Sequence, residues 1–132
     1  MLMQLGFCML ESGLVRTKNT INVAAKNVVD FCVAVLAYWA VGYAIMFGAG
    51  TTGWFGHTGF FFDVSSSFGE GTFFFFQLVF CATAATIIAG AVAERMRFSG
   101  YLIISILVTA AFYPISGHWI WGSDGWLAGM GF

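Results

Sequence analysis

The sequence predicts an all-α membrane protein, and three observations predict it. Of 132 residues, 60% are hydrophobic and only 8% are charged, whereas roughly a quarter of a soluble domain is charged. Mean hydropathy is +0.88. The apolar residues gather into stretches close to the ~20 that a helical span requires. With five Lys and Arg and a net charge of −1, the chain has neither a nucleic-acid-binding surface nor the charge density of a disordered segment. One Pro against 17 Gly excludes collagen-like and proline-rich classes.

The first apolar stretch covers residues 1–14. It is unlike a signal peptide, because Glu11 interrupts it and its basic residues follow rather than precede it. Fourteen helical residues reach about 21 Å against a hydrocarbon core of about 30 Å. The expectation is a transmembrane helix truncated at its front. Glu11 lies in its inner half and requires a partner, such as a backbone group or a Ser. The second stretch, 28–47, has Asp30 near its start, four residues after Lys26. That spacing reads as a surface helix pair or a helix-start charge. Residues 48–71 form a Gly- and aromatic-rich loop with Asp63 and Glu70, long enough for a short interfacial helix. The third and fourth stretches cover 72–93 and 99–119. Cys8, Cys32 and Cys81 are odd in number and embedded in apolar sequence, so they read as small buried hydrophobes.

Basic residues fix an orientation. Arg16, Lys18 and Lys26 lie between the first and second stretches, and Arg95 and Arg97 lie between the third and fourth. The loop 48–71 and the tail after Trp119 contain no Lys or Arg. By the positive-inside rule the basic connections are cytoplasmic. The first span then runs inward and the N-terminus is outside.

On a helical wheel the third span divides into two faces. Phe73, Phe76, Gln77 and Phe80 share one side, continued by Thr83, Ala84 and Ile87. Ala82, Ala85, Thr86, Ala89 and Ala93 fall opposite. Small residues let helix backbones approach in lipid, so the small face is expected against a neighbouring helix. Gln77 argues against lipid on the aromatic face, where an unpaired amide costs several kcal/mol.

Three segments resemble the ammonium transporter family, the Amt/Mep/Rh group. They are MQLGFCMLESGLVRTKN at 3–19, FFQLVFCATAATIIAGAVAERMRFSGYL at 75–102 and YPISGHWIWG at 113–122. The resemblance runs along nearly the whole chain in the family's order. It implies part of an eleven-helix inverted-repeat bundle, namely the end of helix one plus helices two to four, from a homotrimer in the plasma (cell inner) membrane. It further implies that ammonium is recruited at the outer mouth by Phe76, Phe80 and Trp121, with Phe80 also the outer ring of a pore gate. The family's hydroxyl-bearing recruitment residue and its two pore histidines lie on later helices. Its supporting acidic residue is expected just after Phe132, and Asp124 is too close to Trp121 to match it. This stretch alone is therefore not expected to form a working pore.

Those residue types suit that chemistry. Aromatic faces attract cations by about 0.5–2 kcal/mol each, Trp most strongly. An ion at the membrane centre costs at least about 2.5–3.5 kcal/mol. The favourable route is to shed the proton and pass neutral ammonia through an apolar constriction, where a stacked Phe gate opposes a hydrated ion by dewetting. Trp54, Trp119 and Trp126 read as interfacial belt residues, and His118 reads as a structural hydrogen-bonding residue. Glu94, Arg95 and Arg97 mark the cytoplasmic end of the third span. No catalytic or metal-ligating constellation appears, so neither an enzyme nor a cofactor is expected. The expected partners are ammonium or ammonia, the lipid bilayer and further copies of the chain, with a cytoplasmic regulatory protein as a weaker reading and no nucleic acid. Two alternatives remain open: an ammonium-sensing membrane domain of a signalling protein, and a non-transporting membrane scaffold.

Overall fold

The structure is a computed structural model that describes residues 2–50, 53–63, 67–92 and 94–131. Ala93, assigned above to the small face, lies outside the described residues, as do parts of the long loop. Among the described residues the ordered elements are helical. They are α1 (Leu2–Leu14), α2 (Thr20–Ala37), α3 (Tyr43–Phe47), α4 (Phe68–Val92), α5 (Phe98–Leu107), α6 (Tyr113–Trp121) and α7 (Trp126–Gly129). A 3₁₀ turn at Thr17–Asn19 leads into α2. π-Helical turns at Tyr38–Gly42 and Val108–Phe112 join α2 to α3 and α5 to α6. Three resulting rods are long and apolar enough to cross a membrane, while α1 is a shorter apolar helix.

The π turns have local causes. Pro114 stands at the start of α6. Lacking an N–H, it would clash with the carbonyl four residues earlier in a straight helix, and the widened turn before it absorbs that conflict. The π turn before α3 ends at Gly42. A Cβ there would meet the Thr109 carbonyl at 2.9 Å and the Tyr38 ring at 2.6 Å. Glycine thus lets the two rods approach at their bends.

α4 packs as its wheel predicts. Ala82, Ala85, Thr86 and Ala89 are buried, while Phe73, Phe76, Phe80 and Ile87 are exposed on this chain. Toward the other end of the rods, Tyr38, Met46, Phe74, Leu78 and Cys81 form an apolar core, with Tyr113 packed against it.

The half of the bundle nearer the basic connections holds a buried polar network that the sequence reading placed differently. Asp30 is fully buried and accepts hydrogen bonds from the hydroxyls of Ser105 and Thr86. It is therefore not a surface partner of Lys26. Lys26 is itself buried and donates to the Met96 carbonyl at 3.1 Å. The physical reason is that α4 and α5 bring hydroxyl donors to the carboxylate, which makes burial tolerable. Glu11 finds its partner in Asn27, whose side-chain N–H donates at 2.7 Å. Of the cysteines only Cys81 is buried. Cys8 is half-buried and Cys32 is exposed on this chain, because Cys32 faces outward from α2.

Loop 53–63 is irregular rather than helical. It folds back over α3 through backbone bonds from Gly56 to Ile45, His57 to Ala49 and Phe61 to Ala40. α4 begins at Phe68, four residues ahead of the apolar stretch read from the sequence.

At the opposite end Glu94 ties two connections together. Its carboxylate accepts from Asn19 Nδ2 at 2.8 Å, from the Arg16 backbone N–H at 3.0 Å and from Arg16 Nε at 3.1 Å. Glu94 itself adopts φ +62°, an uncommon backbone state for a non-glycine residue.

Candidate functional site

Phe76 and Phe80 stand one turn apart on α4. Their ring centroids are 4.9 Å apart, and the planes are inclined at 57°. This is the tilted arrangement that aromatic quadrupoles favour over a flat sandwich. Trp121 is the last residue of α6. With Gln77 and Tyr113, these three rings line one open cavity of about 180 Å³. All three residues named from the sequence thus share one space. Tyr113 was missed. Its signal was available, since it stands eight residues before Trp121, about two turns down the same rod. It lines the cavity and also packs against the apolar core.

Trp121 is fixed by what surrounds the end of its helix. Gly122 turns the chain to extended geometry, φ −66° and ψ 141°. A Cβ at Gly122 would come within 2.8 Å of His118 Nδ1. His118 is fully buried, and its Nδ1 lies 2.9 Å from the Met46 carbonyl. A carbonyl can only accept, so that nitrogen carries the hydrogen. Its Nε2 faces Asp124 Oδ1 at 3.8 Å. Asp124 in turn accepts from the Gly50 N–H at 2.7 Å. Nearby, Trp119 Nε1 donates to the Trp54 carbonyl at 2.8 Å. The rings of Trp54, Trp119 and Trp126 cluster with centroids 5.7–6.0 Å apart. The long loop, α6 and the start of α7 are thereby tied to one another.

The cavity holds no carboxylate or basic side chain among its lining residues. Its chemistry is that of ring faces, a phenol and an amide. Such a surface attracts a small cation by cation–π interaction, and the Gln77 carbonyl and the Tyr113 oxygen add hydrogen-bond acceptors. The volume exceeds the ~30 Å³ that a water molecule occupies in the liquid. A small cation can therefore enter with part of its hydration.

Comparison with known proteins bears on these features. The model of the Ammonium Transporter Family matches residues 1–132. Ammonium transporter Amt2 of Archaeoglobus fulgidus is 52% identical over 138 aligned positions, which cover 100% of this chain and 28% of that protein. A putative ammonium transporter of Synechocystis sp. is 46% identical, covering 98% of this chain and 26% of its own length. The solved structure of a Sensor Amt Protein superimposes with a TM-score of 0.91 at 41% identity, over 97% of this chain and 34% of that one. The chain therefore spans about a quarter to a third of the proteins it matches. With the family model matched from end to end, this chain belongs to the ammonium transporter family.

Proposed function

We propose that residues 1–132 are a partial ammonium transporter domain: the end of helix one and helices two to four of an eleven-helix bundle with two inverted halves. In the assembled protein, a homotrimer in the plasma membrane, the N-terminus faces outward. Phe76, Phe80 and Trp121 hold ammonium at the outer mouth, and Phe80 closes the apolar passage beneath. Ammonium gives up its proton to water or to a base outside these residues and crosses as ammonia. The observation that carries this reading is the single cavity lined by Phe76, Phe80 and Trp121. It lies at the end of the rods whose connections lack Lys and Arg. The kinship with Amt2 of Archaeoglobus fulgidus supports ammonium as the substrate.

A second reading is an ammonium sensor, favoured by the likeness to a Sensor Amt Protein. In that case the same cavity reports ammonium to a signalling partner at the basic face.

The test is Trp121→Leu in the full-length protein, assayed for uptake with ammonium and potassium in competition. Losing one strong cation–π face, about 1–2 kcal/mol, lowers the preference for ammonium roughly 5- to 30-fold. Unaltered selectivity in a folded variant removes Trp121 from the site.

A further inference from the structure

α4 borders a second cavity, above its first turn and away from the one just described. Tyr43 and Phe47 from α3, Phe62 from the loop and Glu70 from α4 line a space of about 260 Å³, together with Thr58. The Tyr43 ring lies 4.5 Å from Phe62 and 5.4 Å from Phe47 by centroid distance. Thr58 Oγ1 accepts from the Ala49 N–H at 2.8 Å, which fixes that hydroxyl on the cavity wall. Glu70 also places a negative charge at a helix start, where it opposes the positive end of the helix dipole.

We propose that this cavity is a second external cation site, which captures small monovalent cations such as ammonium and methylammonium. Glu70 supplies the charge, and Tyr43, Phe47 and Phe62 supply ring faces. The proposal rests on the outward orientation taken under the proposed function. One carboxylate with a hydroxyl and rings suits a weakly hydrated monovalent ion. It does not suit calcium, which takes six to eight oxygen ligands, or magnesium, which sheds water reluctantly. The two cavities divide the work. The Phe76, Phe80 and Trp121 cavity has no charge among its lining residues, so it selects by ring faces. Glu70 lies seven residues before Gln77 on the same helix, about 10.5 Å along its axis. That separation is close to the Debye length of about 10 Å at 0.1 M salt. The carboxylate thus raises the cation concentration beside the uncharged site in dilute solution and loses that influence in concentrated salt.

The experiment is methylammonium uptake by the full-length protein carrying Glu70→Gln, with Trp121→Leu measured in parallel. At about 10 mM ionic strength the variant's KM rises roughly 3- to 10-fold while the maximal rate changes less than two-fold, and the gap closes at several hundred millimolar salt. Glu70→Lys raises KM further. A second readout is independent of transport. Crystals of the full-length protein soaked in rubidium chloride show an anomalous peak between Glu70 and Tyr43, and Glu70→Gln removes it. A native KM in Glu70→Gln at low salt overturns the proposal, and so does a KM shift undiminished by salt. If Trp121→Leu loses selectivity while Glu70→Gln behaves as native, this site fails and the transport reading stands. If the native protein moves no methylammonium, the transport reading fails and the rubidium map decides the site alone, an empty cavity overturning it.

Discussion

Replacing Asp30 by leucine leaves the buried Ser105 hydroxyl without its acceptor, while the Thr86 hydroxyl keeps the Ala82 carbonyl at 3.0 Å. An unsatisfied buried group costs about 1–3 kcal/mol, so Asp30→Leu is expected to destabilise the full-length protein by about that amount. Asp30→Asn keeps an acceptor oxygen and costs less. Thermal unfolding of both variants in detergent checks the ordering, and equal melting points would contradict the network. Asp30 also shows where sequence reading stops. Lys26 and Asp30 have the spacing of a surface pair, and nothing local reveals that hydroxyls from α4 and α5 converge on the carboxylate. Those partners are 56 and 75 residues away along the chain. Glu11 was similar: its need for a partner was legible, but the partner's identity as Asn27 was not. Phe76, Phe80 and Trp121, which line one cavity, were named through motifs that resemble a known family. Tyr113 had only a spacing to recommend it.

At the scale of the helix, the small face of α4 makes a sharp prediction. Ala85 is 2% exposed, and a leucine there would force α4 away from its neighbours. Overpacking of this kind typically costs 1–3 kcal/mol. Ile87 is 58% exposed on this chain, so Ile87→Ala is expected to shift stability much less. Melting temperatures in detergent separate the two. This division was readable because a period of 3.6 sorts side chains by face whatever the helix packs against. The ends of the elements were not. α4 starts at Phe68 because helical geometry can begin in polar, Gly-rich sequence, which hydropathy does not mark. The two π turns depend on a proline and a close approach between rods, neither of which a wheel displays. The connection at Glu94 makes a pH prediction. Hydrogen bonds from Asn19 and Arg16 hold its carboxyl below the ordinary value of 4.5. A depressed carboxylate stabilises the folded state above its unfolded value, and that contribution fades as pH falls through the folded one. Acidification below about pH 4.5 is therefore expected to loosen the Arg16–Glu94 connection, and Glu94→Gln is expected to remove that pH dependence. Proteolysis or hydrogen exchange at residues 94–97 reports it, and an unchanged profile in Glu94→Gln would count against it.

For the molecule as a whole, the transport reading requires more than three rods able to cross a membrane and a cavity at their base-free ends. Reconstituted alone in liposomes, residues 1–132 are expected to give no ammonium-dependent flux, and saturable uptake would show that the remaining helices are dispensable. The helical spans were legible from composition, because the bilayer imposes span length so strongly. The cavity was legible only through its motif residues, because it forms where α4 and α6, distant in sequence, meet. The account depends on the ring of Trp121 attracting a positive charge through its π electrons. The most direct measurement replaces Trp121 in the full-length protein with tryptophans bearing one to four fluorines, which withdraw that density and leave the shape nearly constant. The account predicts that the logarithm of ammonium affinity falls stepwise with each fluorine. An affinity that stays flat across the series would contradict it.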